Sequence, residues 1–256
     1  MRIALCQLHA AENKEQNLLK ARLFVERAKA SGGDLIVLPE MWNCPYEASY
    51  FKEFAEEGPG PSYRLMEELS AGCILIGGSI PERSDGKIFN TCYVFEDGQL
   101  LGRYRKIHLF DVSYGGQIHQ ESQTISSGSE PLVALTSIGP IGVGICFDLR
   151  FPELFRTMEE ADPFLYVFPA NFNTLSGPAH YELLARARAL DAQSYLALCS
   201  TAQSQQDAYV SYGHSMVTDP WGTVLNQLDE TEGILLQDLY PDRIKEIRQQ
   251  LPIKNR

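Results

Sequence analysis

The chain has 256 residues, 44% hydrophobic and 21% charged, which are ordinary values for one globular domain. Its formal net charge of −11 argues against a nucleic-acid partner, because phosphate binding requires clustered lysine and arginine. No apolar run approaches the roughly 18 residues of a membrane span, and the start MRIALCQLHA lacks the apolar region of a secretory signal. We therefore expect a single domain over residues 1–256, located in the cytoplasm and without a membrane partner.

Strands and helices follow one another through the first half of the chain. RIALCQL and DLIVLPE have apolar patterns typical of strands, and NLLKARLFVERAKASGG between them has the spacing of a helix that ends in glycines. SYRLMEELSA predicts a second helix and CILIGGSIPE a third strand. NTCYVFEDGQLLGRYRK predicts a hairpin that turns at Asp97-Gly98.

The second half continues the same mixture. LVALTSIGPIGVGICFD predicts a hairpin that bends at Gly139-Pro140, and FRTMEEA predicts a helix. PFLYVFPANF and YLALCSTA predict strands on either side of the helix HYELLARARALDAQS, and three further strands precede a closing helix, PDRIKEIRQQLP. Because hairpins occur beside helix-linked strands, we expect two mixed sheets that pack together under outer helices.

The six cysteines show no CxxC pair and no spacing typical of zinc sites. Those in apolar strands are predicted to be small buried hydrophobes in a reducing compartment: Cys6, Cys73, Cys92 and Cys199. Cys146 ends the apolar run GVGIC and is followed by FDLRFPE, with a carboxylate, an arginine and a proline. A cysteine is more often inert than reactive, so a catalytic role for Cys146 depends on partners elsewhere in the chain.

Three predicted strands end in a residue that can carry chemistry: Glu40 in DLIVLPEMW, Lys106 in LLGRYRKIHLF and Cys146 in GVGICFD. Active sites of layered α/β proteins often lie just past strand ends, so these side chains are candidates for one pocket. A buried carboxylate would accept the thiol proton, while an ammonium would favour the thiolate and hold an oxyanion. Arg150 lies four residues beyond the cysteine and would pair bidentately with a substrate carboxylate.

Structural interpretations of the same residues remain open at this point. Glu40 would be a solvated loop residue, Lys106 a charge that protects an edge strand, and Arg150 half of a surface ion pair. A papain-like site would instead require a histidine, for which His108 and His214 are the candidates. No metal-ligand cluster or nucleotide-binding glycine loop is visible, which disfavours a metal-dependent hydrolase and predicts no cofactor.

Taken together, LPEMW, YRKIHLF and GICFDLRFPE resemble, in order and spacing, the three signature blocks of the nitrilase superfamily of carbon–nitrogen hydrolases. The resemblance extends from RIALCQL to IRQQLP. It implies a four-layer αββα sandwich of two mixed β-sheets flanked by helices, assembled as a homodimer or larger homo-oligomer. It also implies that Glu40 is the general base and acid, that Lys106 stabilises the tetrahedral intermediate and that Cys146 is the nucleophile.

Further roles follow from this resemblance. Glu121 in HQES matches a second glutamate that positions the lysine and assists the base, although the loop DVSYGGQIHQES varies in length in the family. The backbone N–H of Phe147 would share the oxyanion with Lys106. Asp148 and Glu153 have no assigned role, and we expect both to form local hydrogen bonds.

Three other segments resemble the ω-amidase branch of the superfamily: NCPYEASYFKEFAE, PANFNTLSGPAHYELLARARALD and SYGHSMVTDPWG. Enzymes of that branch hydrolyse the terminal amide of α-ketoglutaramate and α-ketosuccinamate to the dicarboxylate and ammonia. Arg150 would then bind the distal carboxylate, and Phe172, Ser176 and Tyr46 would line the pocket. Phe147 in place of tyrosine, Ser176 in place of threonine, and PANF in place of smaller residues depart from the branch and affect the expected substrate length.

Other activities remain alternatives on the sequence alone. A related branch would hydrolyse N-carbamoyl amides, and another would repair damaged metabolites as an amidase. A catalytically silent member would act as an interaction module, but the intact Glu40, Lys106 and Cys146 set argues against that. The sequence therefore favours a small-molecule amide as the partner of this protein.

Overall fold

The computed structural model describes residues 1–253, which form two β-sheets with helices on their outer faces. The first sheet contains β1 (Arg2–Gln7), β2 (Leu35–Val37), β3 (Glu56–Glu57), β4 (Ile74–Ile76), β5 (Ile80–Ser84), β6 (Lys87–Glu96), β7 (Gln99–Arg105) and β16 (Gly233–Asp238). The second contains β10 (Leu132–Thr136), β11 (Gly139–Val143), β12 (Leu165–Ala170), β13 (Tyr195–Ser200), β14 (Met216–Thr218) and β15 (Val224–Gln227). A separate hairpin consists of β8 (Asp111–Tyr114) and β9 (Gln117–Gln120). The helices are α1 (Lys14–Ala30), α2 (Ala48–Phe54), α3 (Pro61–Leu69), α4 (Pro152–Met158), α5 (Gly177–Ala192) and α6 (Asp242–Gln250).

Both sheets are mixed, as the sequence predicts. The first has the order β16-β1-β2-β4-β6-β5-β3, with β7 paired to β6, and its parallel pairs are β1-β2, β2-β4 and β3-β5. The second has the order β10-β11-β12-β13-β14-β15, and its parallel part is β11, β12 and β13. Helices lie between the parallel neighbours β1 and β2, β11 and β12, and β12 and β13, whereas hairpins connect β5 to β6, β6 to β7, β10 to β11 and β14 to β15.

Strand β1 shows why the sheets stack, because successive side chains of a strand point to opposite faces. Ile3 and Leu5 belong to the core between the two sheets, whereas Ala4 and Cys6 pack with residues of α1 and α3 on the outer face. All four side chains are fully buried, as expected for a strand covered on both sides. Helices α4 and α5 cover the second sheet in the same way, which confirms the αββα sandwich.

One predicted strand and one predicted turn differ from those in the structure. CILIGGSIPE forms two strands, β4 and β5, because the chain turns at Gly77-Gly78, where Gly78 has a φ of +60°. The hairpin of β10 and β11 turns at Ser137-Ile138, two residues earlier than predicted, and Gly139 and Pro140 pair within the ladder opposite Thr136 and Leu135.

The six cysteines are buried and form no disulfide, which confirms the prediction for Cys6, Cys73, Cys92 and Cys199. No helix within residues 1–253 has the length and apolar character that crossing a membrane requires. The three candidate catalytic residues each follow the end of a strand: Glu40 follows β2, Lys106 follows β7 and Cys146 follows β11.

Gly78 tests how strongly the turn beside Glu40 depends on glycine. A Cβ at this position would collide with the carbonyl oxygen of Pro39, and the left-handed backbone adds strain for any other residue. We expect Gly78→Ala to lower the free energy of unfolding by about 3 kcal/mol or more, measured in urea. Gly72→Ala is the matched control, because Gly72 has a φ of +74° with open space around it and should lose only about 1 kcal/mol. Equal losses in the two variants would contradict this account.

Candidate active site

Glu40 is held by its neighbours in a fully buried turn after β2. The next residue, Met41, has a φ of +52°, and its N–H donates to Ser79 Oγ at 3.0 Å. The Ser79 N–H donates to the Pro39 carbonyl at 3.0 Å, and Thr201 Oγ1 donates to the Glu40 carbonyl at 3.2 Å. Contacts from both sheets thus fix the backbone on either side of this carboxylate.

Lys106 is also fully buried, and its ammonium lies between two carboxylates. Nζ donates to Glu40 Oε1 at 2.8 Å and to Glu121 Oε2 at 2.9 Å, and it lies 3.4 Å from the Tyr46 hydroxyl. A buried ammonium is stable only when it is paired and hydrogen-bonded, and these contacts supply both conditions. The structure therefore excludes a solvated loop role for Glu40 and a surface role for Lys106.

Asn90, on β6, joins the two carboxylates. Its Nδ2 donates to Glu40 Oε1 at 2.9 Å and to Glu121 Oε1 at 3.2 Å. Glu121 is fixed further by the Phe110 N–H, which donates to Oε2 at 2.7 Å. Asn90 was not predicted from the sequence, where its only signal is that Asn90 and Thr91 interrupt the apolar run KIFNTCYVF.

Burial sets the charge states of these groups. Burial raises the pKa of Glu40 above the ordinary glutamate range, and the nearby Lys106 does not cancel this effect. Burial disfavours the charge on Lys106, but the carboxylates of Glu121 and Glu40 outweigh it and raise its pKa. Lys106 is therefore a cation at neutral pH, while Glu40 retains a proton more readily than an exposed glutamate does.

Cys146 opens a short 3₁₀ turn, Cys146–Arg150, directly after β11 and Gly144-Ile145. Its φ of +43° is a left-handed conformation that costs a non-glycine residue about 1–2 kcal/mol. Sγ accepts a hydrogen bond from the Asn171 N–H at 3.4 Å. Burial raises the pKa of the thiol well above its usual value, and the Glu40 carboxylate raises it further. Lys106 lowers the pKa of the thiol, as predicted, but burial has the larger effect. The resting thiol is therefore protonated and requires a base.

Asp148 fastens this turn to the segment that carries Lys106. Oδ2 accepts from the Ile145 N–H at 3.0 Å and from the Tyr104 hydroxyl at 2.8 Å. Oδ1 accepts from the His108 N–H at 2.9 Å and lies 2.7 Å from His108 Nδ1. Only the first of these bonds is local, because Tyr104 and His108 flank Lys106 about forty residues earlier in the chain.

The prediction of local hydrogen bonds for Glu153 was wrong. Its side chain is exposed in the first turn of α4 and makes no hydrogen bond with residues 1–253. Its carboxylate near the start of the helix interacts favourably with the helix dipole instead.

A small pocket opens beside Cys146. Five of the residues that line it were predicted from the sequence: Tyr46, Phe147, Arg150, Phe172 and Ser176. Three others were not predicted: Phe110, Asn171 and Tyr209. Hydrogen bonds within the pocket wall stabilise it. Ser176 Oγ donates to Asn173 Oδ1 at 3.0 Å, and the Tyr209 hydroxyl donates to the Asn171 carbonyl at 2.7 Å. The structure thus brings the candidate binding residues together around the thiol.

Arg150 supplies an unpaired cation to this pocket. Its guanidinium lies 5.5 Å from the ring centre of Phe147 and 5.3 Å from that of Phe172. Nη1 and Nη2 lie 3.3 Å from His180 Nδ1, and Nε is buried without a hydrogen-bond partner. No carboxylate within residues 1–253 pairs with it, so the surface ion pair considered from the sequence is absent and an anionic ligand fits.

The histidines do not form a papain-like site. His108 is engaged by Asp148, and His214 Nδ1 lies 2.7 Å from the Tyr212 carbonyl. Neither ring is within hydrogen-bonding distance of Cys146 in the described part of the chain.

Asp148→Asn tests the link between the two segments. Each carboxylate oxygen receives two donors, so an amide in either orientation directs an N–H group at another donor. We expect the free energy of unfolding to fall by about 3 kcal/mol in urea. Glu153→Gln, on the exposed start of α4, is the control and should change it by less than about 0.5 kcal/mol. An Asp148→Asn protein as stable as this control would show that the link is unimportant.

Comparison with known proteins places the chain in a family. A profile of the carbon-nitrogen hydrolase family matches residues 2–249. The chain is 44% identical to omega-amidase NIT2 of Homo sapiens and 45% identical to that of Mus musculus, each over 98% of this chain and 93% of the relative. It is also similar to the crystal structure of Saccharomyces cerevisiae Nit3, a member of branch 10 of the nitrilase superfamily, with 38% identity, a TM-score of 0.93, and coverage of 100% of this chain and 96% of that one. This chain therefore belongs to the carbon–nitrogen hydrolase family of the nitrilase superfamily, and it is an amidase that hydrolyses carbon–nitrogen bonds.

Proposed function

We propose that this enzyme is an ω-amidase that hydrolyses the terminal amide of α-ketoglutaramate or α-ketosuccinamate, releasing the dicarboxylate and ammonia through a thioester on Cys146. The observation that carries the proposal is one pocket shared by the thiol and the unpaired guanidinium of Arg150. A substrate with an amide at one end and a carboxylate at the other would match these two groups. The relatives named omega-amidase support the same substrate class.

The first half of the reaction forms the thioester. Glu40 takes the proton of Cys146, and the thiolate attacks the amide carbon while the carbonyl π electrons move to oxygen. Lys106 and the backbone N–H of Phe147 stabilise this oxyanion. The intermediate collapses as the C–N bond breaks, and Glu40 gives its proton to the leaving nitrogen, so ammonia departs.

The second half releases the acid. Glu40 removes a proton from water as the water oxygen attacks the thioester carbon, and the same donors hold the new oxyanion. Collapse then breaks the C–S bond, and the proton on Glu40 returns to the sulfur of Cys146. The enzyme is restored without a metal or cofactor.

The buried contacts suit Glu40 to this repeated proton transfer. Lys106 and Asn90 both bind Oε1, which holds the carboxylate in one orientation. The other oxygen, Oε2, is buried and accepts no hydrogen bond from the described residues. That oxygen is therefore free for the proton, and Glu121 keeps Lys106 in place through its own ion pair.

The proposed function is tested by incubating the protein with α-ketoglutaramate and measuring ammonia. We expect turnover by the wild type and none by Cys146→Ala, which lacks the nucleophile. An inactive wild type would contradict the ω-amidase assignment, and an active Cys146→Ala would contradict the nucleophile. Carbon dioxide released together with ammonia from an N-carbamoyl substrate would favour that branch instead.

Arg150→Ala tests recognition of the distal carboxylate. Loss of a buried, charge-assisted contact of this kind costs about 2–5 kcal/mol, so kcat/KM for α-ketoglutaramate should fall by about 30- to 4,000-fold. A neutral aliphatic amide of the same length is the control, because it cannot use the guanidinium, and its kcat/KM should change little. A similar loss for both substrates would contradict a carboxylate-binding role.

The pH dependence of kcat/KM follows from Glu40. The base must be unprotonated in the free enzyme, and burial raises its pKa, so the acid limb should lie above the ordinary glutamate value of about 4.3. The Glu121 charge contributes to this rise, so Glu121→Gln should move the acid limb to lower pH. Circular dichroism at each pH checks that the protein stays folded. An acid limb at or below 4.3 in the wild type would contradict the assignment of Glu40 as the base.

A further inference from the structure

We infer that the side-chain amide of Asn171 is a specificity-determining group that binds a polar substituent on the substrate, next to the distal carboxylate. This inference rests on the proposed function and deepens it. Asn171 follows β12, lines the pocket that contains Cys146 and Arg150, and is only 3% exposed.

The side-chain amide of Asn171 has no hydrogen-bonding partner among the described residues. Its Oδ1 is buried without a partner, and neither end of the amide forms a hydrogen bond with the described residues. Asn173, two residues later, differs in that its Oδ1 accepts from Tyr114, at 2.8 Å, and from Ser176, and only its Nδ2 is buried without a partner. Buried polar groups are normally satisfied, so an unpaired amide on a pocket wall points to a ligand.

The backbone segment that carries this amide runs between the two ends of the pocket. The Asn171 N–H donates to Cys146 Sγ at 3.4 Å, where the scissile amide would bind. The ring of the next residue, Phe172, lies 5.3 Å from the Arg150 guanidinium, where the carboxylate would bind. The Asn171 carbonyl is fixed by the Tyr209 hydroxyl at 2.7 Å, so this segment spans the pocket as a rigid wall.

An amide can pair with an oxo or hydroxyl substituent but not with a methylene group. Its Nδ2 donates to an oxo oxygen, and rotation about χ2 lets either end meet a hydroxyl. A plain chain would leave the amide unpaired in the closed complex, and sites built around a hydrogen bond discriminate against analogues that lack it. Asn171 therefore selects short amide acids with a 2-oxo or 2-hydroxy group over unsubstituted ones.

The test compares kcat/KM for α-ketoglutaramate with that for glutaramate, which has the same chain without the oxo group. We expect the wild type to prefer the oxo acid by about tenfold or more. Asn171→Ala should reduce this preference to within about twofold, through a lower rate on the oxo acid alone. Asn171→Leu keeps the side-chain volume but cannot form a hydrogen bond, so it should reduce the preference in the same way. Thr174→Ala, at an exposed site on the same loop, is the control and should keep the wild-type preference.

The possible outcomes distinguish a failure of the proposed function from a failure of the role inferred for Asn171. Ammonia from neither acid with the wild-type enzyme would show that the proposed function is wrong, and the inference for Asn171 would fall with it. Ammonia from both acids with the same preference in wild type, Asn171→Ala and Asn171→Leu would overturn the role of Asn171 and leave the ω-amidase assignment intact.

Discussion

A buried ammonium between two carboxylates is the interaction on which the rest of this structure depends. Lys106, Glu40 and Glu121 come from three separate segments, and all three side chains are almost wholly removed from water. Removing Lys106 would leave two buried carboxylates without a counter-charge, and breaking a buried pair in this way typically costs about 3–5 kcal/mol. The strand ends around these residues are therefore constrained to meet, and Cys146 is held beside them by Asp148.

This arrangement separates charge stabilisation from proton transfer. The ion pair and Asn90 occupy one oxygen of Glu40 and leave the other without a hydrogen bond, next to a thiol that burial keeps protonated. In the proposed reaction the cysteine becomes a nucleophile only when its proton is taken, so the same glutamate serves both halves. In the same proposal, Arg150 and the side chain of Asn171 take no part in that chemistry and determine the choice of substrate.

The sequence predicted the layers, and the positions of Glu40, Lys106 and Cys146 after strand ends, because both leave strong local patterns. The continuous apolar run in β1 and the reactive residues that follow apolar runs at Glu40, Lys106 and Cys146 are recognisable one segment at a time. Asn90 and Asn171 were missed because their partners, or the lack of them, depend on residues distant in the chain. Gly139-Pro140 misled the turn prediction because the register of β10 and β11 places both residues inside the ladder.

The central claim is that Glu40 activates Cys146 by removing its proton, and alkylation by iodoacetamide tests it most directly. The rate of modification of Cys146, followed by peptide mass spectrometry at neutral pH, is compared between wild type and Glu40→Gln. If Glu40 is the base, the variant should react about a hundredfold more slowly. The negative charge of Glu40 raises the pKa of the thiol, so a purely electrostatic role predicts the opposite sign. An equal or faster rate in a folded Glu40→Gln protein would contradict the account.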